Sequence, residues 1–154
     1  MYDPDPGRAR DVLSLINEIP RAFFRLSAIA EDLFADLGLG PSERGALRDL
    51  FVEGESSAPD LARRKAVSRQ AVQMTLGGLV AKGLVRTEIN PRRKRAKRYV
   101  LTQAGIRACV EIQRREMEKI AGMMNGAGAA DFAQAAAALA ALNDALAKDL
   151  DARR

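Results

Sequence analysis

Four hydrogen-bonding side chains lie close together in the chain: Ser68, Arg69, Gln70 and Gln73. An arginine fork fits O6 and N7 of guanine, and a glutamine amide fits N6 and N7 of adenine; each pairing discriminates by about 1–3 kcal/mol. These four side chains are candidates for reading base edges in a groove of DNA. The alternative is an ordinary solvated helix face.

A second group of side chains is suited to phosphate binding. The stretch NPRRKRAKR, residues 90–98, contains six cations in nine residues. Cations packed this densely neutralise phosphates or enter a narrow minor groove, where the negative potential is concentrated. The cations that we expect to contact DNA here are Arg92, Arg93, Lys94, Arg95 and Lys97. For Arg63 and Arg64, phosphate contact and simple solvation are equally supported.

The charge of the chain is strongly uneven. Residues 61–98 carry twelve Lys and Arg against one acid, Glu88, whereas the remainder has 13 basic and 19 acidic residues. A field polarised in this way attracts a polyanion to one face. The sequence therefore favours a nucleic acid as partner.

The composition excludes several other classes of protein. The 154 residues include one cysteine, Cys109, and no histidine, so a disulfide within the chain, a His-based zinc site and a Ser-His-Asp triad are all ruled out. We expect no enzyme activity, no metal and no cofactor. The start of the chain does not resemble a secretory signal, and no uncharged run reaches the ~20 residues that span a bilayer. These features predict a cytoplasmic protein with no membrane partner.

The candidate base-reading residues need a helix to present them together. Residues 60–85, DLARRKAVSRQAVQMTLGGLVAKGLV, predict a short helix, a tight turn and a longer helix. Pro59 suits the first turn of the short helix, Ser68 can cap the longer one, and Gly83 can end it. The core face of the longer helix is expected to consist of four apolar residues: Val72, Leu76, Leu79 and Val80. The polar side chains then lie on the opposite face.

The cations of residues 90–98 require a separate structural element to present them to DNA. The β-prone runs LVRTEI and AKRYVLT flank NPRRKR, which predicts a two-stranded hairpin with a basic tip. Thr102 can cap the helix that follows. Periodicity predicts the remaining helices at residues 8–37, 42–52, 103–124 and 131–150. Pro20 should kink or restart the first helix, and Leu47, Leu50 and Phe51 form the expected core face of the second.

The segments DLARRKAVSRQAV, LVAKGLV and NPRRKRAKRYVLTQAG, in this order and spacing, resemble the MarR (multiple-antibiotic-resistance regulator) family of winged helix-turn-helix proteins. The resemblance covers the whole chain and is strongest at residues 60–105. It implies a mainly α (α+β) fold, in which residues 8–40 and 103–154 supply a dimerisation region and residues 41–102 form the winged helix-turn-helix. It also implies a recognition helix at residues 68–82, which adds Met74 to the candidates.

The family resemblance implies a function as well. Its members are mostly bacterial repressors that bind palindromic operators as homodimers, and many are released by small, often phenolic, ligands. The arginine at the tip of the family's wing falls on Arg95. This sequence departs from the family at Arg93, where an Asp is common, and at Met74, where a basic residue is common. It departs also at Lys65, usually apolar, and at the pair Gly77–Gly78, which weakens a helix by about 1 kcal/mol for each glycine.

Some interpretations stay open on the sequence alone. Cys109 is by default a small buried thiol, and a redox-sensing role is the less supported alternative. The aromatic residues Phe23, Phe24 and Phe34 suit dimer core or, less well, a ligand pocket. A winged helix with a basic tip can also be an interaction module for RNA or an acidic protein, which is the alternative to sequence-specific DNA binding.

Overall fold

A computed structural model describes residues 5–89, 97–125 and 131–153. Within those residues the chain forms six α-helices, one short 3-10 helix and one two-stranded sheet. In chain order the elements are α1 (Pro6–Leu33), the 3-10 helix (Ala35–Leu37), α2 (Pro41–Glu53), α3 (Ala58–Lys65), α4 (Arg69–Ala81), β1 (Val85–Ile89), β2 (Lys97–Leu101), α5 (Gln103–Met124) and α6 (Phe132–Ala152). The mainly α winged helix-turn-helix expected from the sequence is confirmed.

The chain divides into two compact units. Residues 30–122 form the winged helix-turn-helix unit, and residues 1–29 with 123–154 form the terminal helical unit. The core of the winged unit is mainly aliphatic, and its largest fully buried side chains come from α2, α3, α4 and β1. They are Leu47, Leu61, Leu76, Leu79 and Val85.

The first helix differs from the expectation at two points. It runs from Pro6 to Leu33 without restarting at Pro20, because proline removes only one backbone donor and the turns on either side keep their own bonds; a kink at Pro20 stays a prediction. It also ends four residues before Leu37. The 3-10 helix that follows ends at Gly38, whose φ of 61° lies in the left-handed region.

Helices α2 and α4 bury most, but not all, of the side chains assigned to their core faces. Phe51 is 41% exposed because it borders an open cleft between α2 and α5. Val80 is 38% exposed because it lies one residue, or about 100° of helix rotation, from buried Leu79. The expectation that both are core residues is wrong, whereas Val72 and Leu76 are buried as expected.

The helix boundaries follow the predicted capping residues. The Ser68 hydroxyl accepts a hydrogen bond from the amide of Ala71 at 3.1 Å, and Gly83 follows α4 with φ 69°. The Thr102 hydroxyl accepts a hydrogen bond from the amide of Gly105 at 3.1 Å. Local side-chain chemistry therefore fixes both ends of α4 and the start of α5.

The sheet consists of β1 and β2, paired antiparallel with Val85 opposite Leu101 and Thr87 opposite Tyr99. Ser56, in the loop before α3, adds a single β-bridge to Tyr99, with N···O distances of 3.2 and 2.9 Å. This bridge attaches the hairpin to the loop that starts the helix-turn-helix. The two strands of the predicted hairpin are thus confirmed, and its tip lies outside the described residues.

Candidate nucleic-acid interface

The outer face of α4 carries the candidate base-reading side chains. Val72, Leu76 and Leu79 turn into the core, and the 3.6-residue period then directs the intervening residues outward. The five candidates are all exposed: Ser68, Arg69, Gln70, Gln73 and Met74. Met74 has 72% of its surface accessible, a high value for an apolar side chain in the middle of a helix.

Most of the positive charges that the structure describes in residues 61–98 are paired with acids. Six of the eight cations described in this segment lie within 4.0 Å of a carboxylate, and five of those acids come from residues 43–60. The pairs are Arg63 with Asp60, Arg64 with Glu53, Lys65 with Asp49, Lys82 with Glu43, Arg86 with Glu88 and Arg98 with Glu55. Among the described residues, the positive charge of this segment is therefore locally compensated to a degree that the charge count along the sequence does not show.

Arg69 and Lys97 are the two cations of this segment that make no ion pair among the described residues. Arg69 is the first residue of α4, and Lys97 is the first residue of β2, opposite Ile89. Gln73 and Lys97 line the same open groove, whose volume is about 1020 Å³. The structure thus brings a recognition-helix candidate and a wing candidate to one groove.

Arg63 and Arg64 are held by their own subunit. Arg63 pairs with Asp60, and Arg64 donates to the Ser56 hydroxyl at 2.5 Å and lies 3.6 Å from Glu53. The hydroxyl of Ser57 hydrogen-bonds Asp60 and, with the nearby arginines, keeps the pKa of Asp60 below its usual value against the opposing effect of burial. Because a guanidinium has five N–H donors, a phosphate contact from either arginine would add to its present partners or compete with them.

The structure does not describe the residues of the predicted wing tip. Arg92, Arg93, Lys94 and Arg95 lie outside the described residues, so their expected contacts stay predictions.

Lys65, which replaces an apolar residue of the family pattern, points to Asp49 with an N–O distance of 2.8 Å. An ion pair therefore stands where the family pattern has an apolar packing residue.

Two interactions of the winged unit were not foreseen from the sequence. The Lys82 ammonium binds both carboxylate oxygens of Glu43, 39 residues earlier. The Thr102 hydroxyl donates to the carbonyl of Gly83 at 2.7 Å. The Gly-x-x-Glu spacing at residues 40–43 indicates that Glu43 bonds the backbone at the start of α2, as a glutamate at that position of a helix does. The spacing does not indicate that Lys82 pairs with Glu43.

A cleft between α2 and α5 has a volume of about 330 Å³. Its walls are mainly apolar, from residues such as Phe51, Ile112 and Met117, and Arg44 and Arg48 lie at its edge. Cys109 is in its floor, where burial raises the pKa of the thiol although Arg48 acts in the opposite direction. The expectation of a small buried thiol is confirmed.

The three candidate aromatic residues separate in the structure. Phe34 is only 2% exposed and belongs to the core of the winged unit, with the Arg44 guanidinium 5.0 Å from its ring centre. Phe23 and Phe24 belong to the terminal unit, where both are exposed and their rings meet edge to face at 5.6 Å.

Other kinds of site find no support in the described residues. In residues 5–89, 97–125 and 131–153, no three His, Cys, Asp or Glu side chains are grouped so that they can hold a metal ion. None of the helices that the structure describes is long and apolar enough to cross a membrane.

Comparison with known proteins links residues 37–96 to the MarR family, whose profile they match. No curated protein matches the chain. A solved MarR family transcription regulator is similar over 97% of this chain and 99% of its own, at 21% identity and a TM-score of 0.75. A MarR family regulator from Silicibacter pomeroyi covers 84% of this chain and 86% of its own, at 27% identity and a TM-score of 0.65. BpsR from Bordetella bronchiseptica, whose DNA binding is regulated by 6-hydroxynicotinic acid, covers 84% of this chain and 98% of its own, at 20% identity and a TM-score of 0.69.

Proposed function

We propose that the protein is a transcription regulator that binds duplex DNA sequence-specifically, a proposal supported by the match of residues 37–96 to the MarR family profile. The observation that carries this proposal is the exposed outer face of α4, which presents hydrogen-bonding side chains from Ser68 to Gln73. A helix of this kind fits the major groove, and its side chains match base edges there. Lys97 and the wing-tip cations then contact the backbone or the adjacent minor groove.

The proposed DNA-binding species is a homodimer. None of the described residues of α1 or α6 is buried within a single chain. Their exposed apolar side chains include Leu13, Phe23, Phe24, Leu26, Phe132, Leu146 and Leu150. Soluble monomers rarely expose so much apolar surface, and a second copy brings the same surface in return. Light scattering should give twice the 16.7 kDa chain mass. The double variant Phe23→Glu/Phe24→Glu should be monomeric.

A twofold dimer presents two recognition helices to a palindromic operator. We propose repression as the outcome, through occupation of the operator, and the bacterial cytoplasm as the place where it happens. The family match supports both proposals, and a reporter gene placed behind the selected operator tests the direction of regulation. Repression predicts higher reporter expression when the regulator is deleted.

The α2–α5 cleft is the proposed effector site. Arg44 and Arg48 at the edge of an apolar cleft suit a small aromatic acid, whose ring enters the cleft and whose carboxylate meets a guanidinium. Arg48 already pairs with Glu116, so an acid that binds there competes for the same donor. A thermal-shift series of small aromatic acids, with Arg48→Met as the control, tests the site. The proposal requires the shift to disappear in the variant.

Selection from a random duplex library, followed by footprinting, tests the main proposal. A dimer should protect two half-sites about one helical turn apart, and its affinity should fall steeply with salt because several phosphates are neutralised. Competition with single-stranded RNA separates this from the interaction-module alternative. Equal affinity for RNA and for the selected duplex would favour the alternative.

A further inference from the structure

Lys82 and Glu43 join the end of α4 to the start of α2. The Lys82 ammonium lies 2.9 and 2.7 Å from the two carboxylate oxygens of Glu43, and it donates to the carbonyl of Gly38 at 2.7 Å. The same carboxylate accepts the amide of Gly40 at 2.9 Å. One side chain at the last turn of α4 is thus bound to three points on the segment that begins α2.

Gly78 gives the glutamate the space it needs. A Cβ at Gly78 would lie 2.8 Å from a carboxylate oxygen of Glu43, which is closer than real Cβ contacts. Its neighbour Gly77 has no such restriction, since a Cβ there would meet nothing within 4 Å. The close approach explains the glycine at position 78 and leaves the one at position 77 as a helix-weakening residue only.

Within this ion pair the carboxylate is better shielded from water than the ammonium. The Glu43 side chain is 16% exposed and the Lys82 side chain 41%. Burial acts to raise the pKa of Glu43, but hydrogen bonds from Lys82 and from the Gly40 amide outweigh it and keep the pKa below its usual value. Glu43 is therefore ionised at neutral pH, as the pairing requires.

We propose that Glu43 and Lys82 are positioning residues for DNA recognition, holding the end of α4 so that its first turns enter the groove at a fixed angle. This inference rests on the proposed DNA-binding function. Arg69 lies 13 residues before Lys82, which is about 20 Å along the helix axis. A small shift of the clamped end therefore tilts the whole reading face, and base-edge hydrogen bonds weaken steeply when their geometry is lost.

The test compares affinity for the selected operator with affinity for a scrambled duplex of the same length. Glu43→Gln and Lys82→Met should each lower this specificity ratio about tenfold, and the double variant should lower it little further, because both changes break one interaction. Lys82→Arg should retain most of the ratio. The charge-matched control is Arg21→Met, which breaks an exposed ion pair with Glu18 on α1 and should leave the ratio unchanged.

The sign of the Glu43 effect separates positioning from charge. Removal of a negative charge by Glu43→Gln favours binding to any duplex, so a fall in the specificity ratio without a fall in non-specific affinity supports a positioning role. If Lys82→Met instead lowers affinity for both duplexes equally while Glu43→Gln has no effect on the ratio, Lys82 is a phosphate contact and the inference is wrong.

Thermal unfolding of every variant shows that the comparison is made on folded protein. Gly77→Ala should raise the midpoint through helix propensity, whereas Gly78→Ala should raise it less and should lower the specificity ratio, because the Glu43 carboxylate must shift away from the new Cβ. Equal, raised midpoints and unchanged ratios for Gly77→Ala and Gly78→Ala would overturn the inference. If the parent protein selects no sequence at all, the proposed function fails first, and the inference falls with it.

Discussion

Gly105 packs so tightly against Leu84 that a Cβ atom on Gly105 would lie 2.0 Å from the Leu84 carbonyl oxygen. The same carbonyl accepts the amide of Thr102 at 3.0 Å, and the Thr102 hydroxyl donates to Gly83 at 2.7 Å. The segments KGLV before the hairpin and LT-x-x-G after it therefore meet at its base. Two separate sequence motifs are one structural contact that closes the wing.

Gly105→Ala should destabilise the protein strongly, because the clashing atom belongs to the backbone and cannot rotate away. Overpacking costs typically 1–3 kcal/mol, and we expect about 3 kcal/mol in the free energy of unfolding, measured by chemical denaturation. Gly122→Ala is the matched control in the same helix, since a Cβ there would meet nothing within 4 Å. It should be neutral or stabilise by up to about 1 kcal/mol. Similar losses from both variants would disprove the contact.

Arg69 and Lys97 should have different effects on DNA binding although both are cations without an acidic partner among the described residues. Arg69→Ala should remove preference among sequences, because a base-edge contact worth about 1–3 kcal/mol is lost. Lys97→Ala should weaken all duplexes alike and reduce the salt slope by about 1, because one phosphate contact is lost. Both are measured by titration of operator and random duplexes at several salt concentrations. If both variants behave like the parent, the assignment of roles is wrong.

Acid should destabilise the winged unit through Glu111. Hydrogen bonds from Arg114 and then Arg115 lower the pKa of Glu111 from 4.5 to about 2. A carboxylate whose folded pKa lies below its unfolded value contributes stability that is complete above pH 4.5 and lost as pH falls toward 2. Arg115 also lowers the pKa of Asp36 and binds both of its oxygens, at 2.6 and 2.9 Å.

The thermal midpoint of the parent should therefore fall between about pH 5 and pH 2 more steeply than that of Glu111→Gln. The two proteins should differ most at pH 7 and converge at low pH, as followed by circular dichroism. Parallel curves over this range would show that Glu111 does not contribute in this way.

The sequence predicts the local parts of the fold well because their causes are local. Ser68, Gly83 and Thr102 each end or begin a helix through bonds to residues within a few positions, so their roles can be read without tertiary information. The exposure of Phe51 and Val80 depends on whether another element covers them. Periodicity indicates which face of a helix is apolar, but it does not show how much of that face is covered by neighbouring elements.

The candidate interface is less predictable for the same reason. Lys82 and Glu43 are 39 residues apart, and Arg115 and Asp36 are 79 apart, so no spacing rule connects them. The charge count of residues 61–98 treats Arg64 and Arg98 as free, although acids of the preceding segment pair with both. Burial of α4's apolar stripe is what leaves Arg69 exposed, and that much follows from the helical period.

Met74 should recognise the methyl group of thymine. It lies one turn after Gln70 on the reading face, is 72% exposed, and stands where a basic residue is common in the family pattern. An apolar side chain there gains from contact with the thymine C5-methyl, the one apolar feature of the major-groove edge. Replacement of thymine by uracil removes that methyl, and burial of one such group contributes about 0.8 kcal/mol, or about a fourfold change in affinity.

The measurement replaces operator thymines by uracil one at a time in the parent and in Met74→Ala. At one half-site position the parent should lose about fourfold in affinity, and the variant should lose nothing further, because the same contact has already been removed. Uracil at positions outside the footprint is the control and should change neither protein. If parent and variant show the same thymine preference at every position, another residue reads the methyl group, and Met74 only fills space on the helix surface.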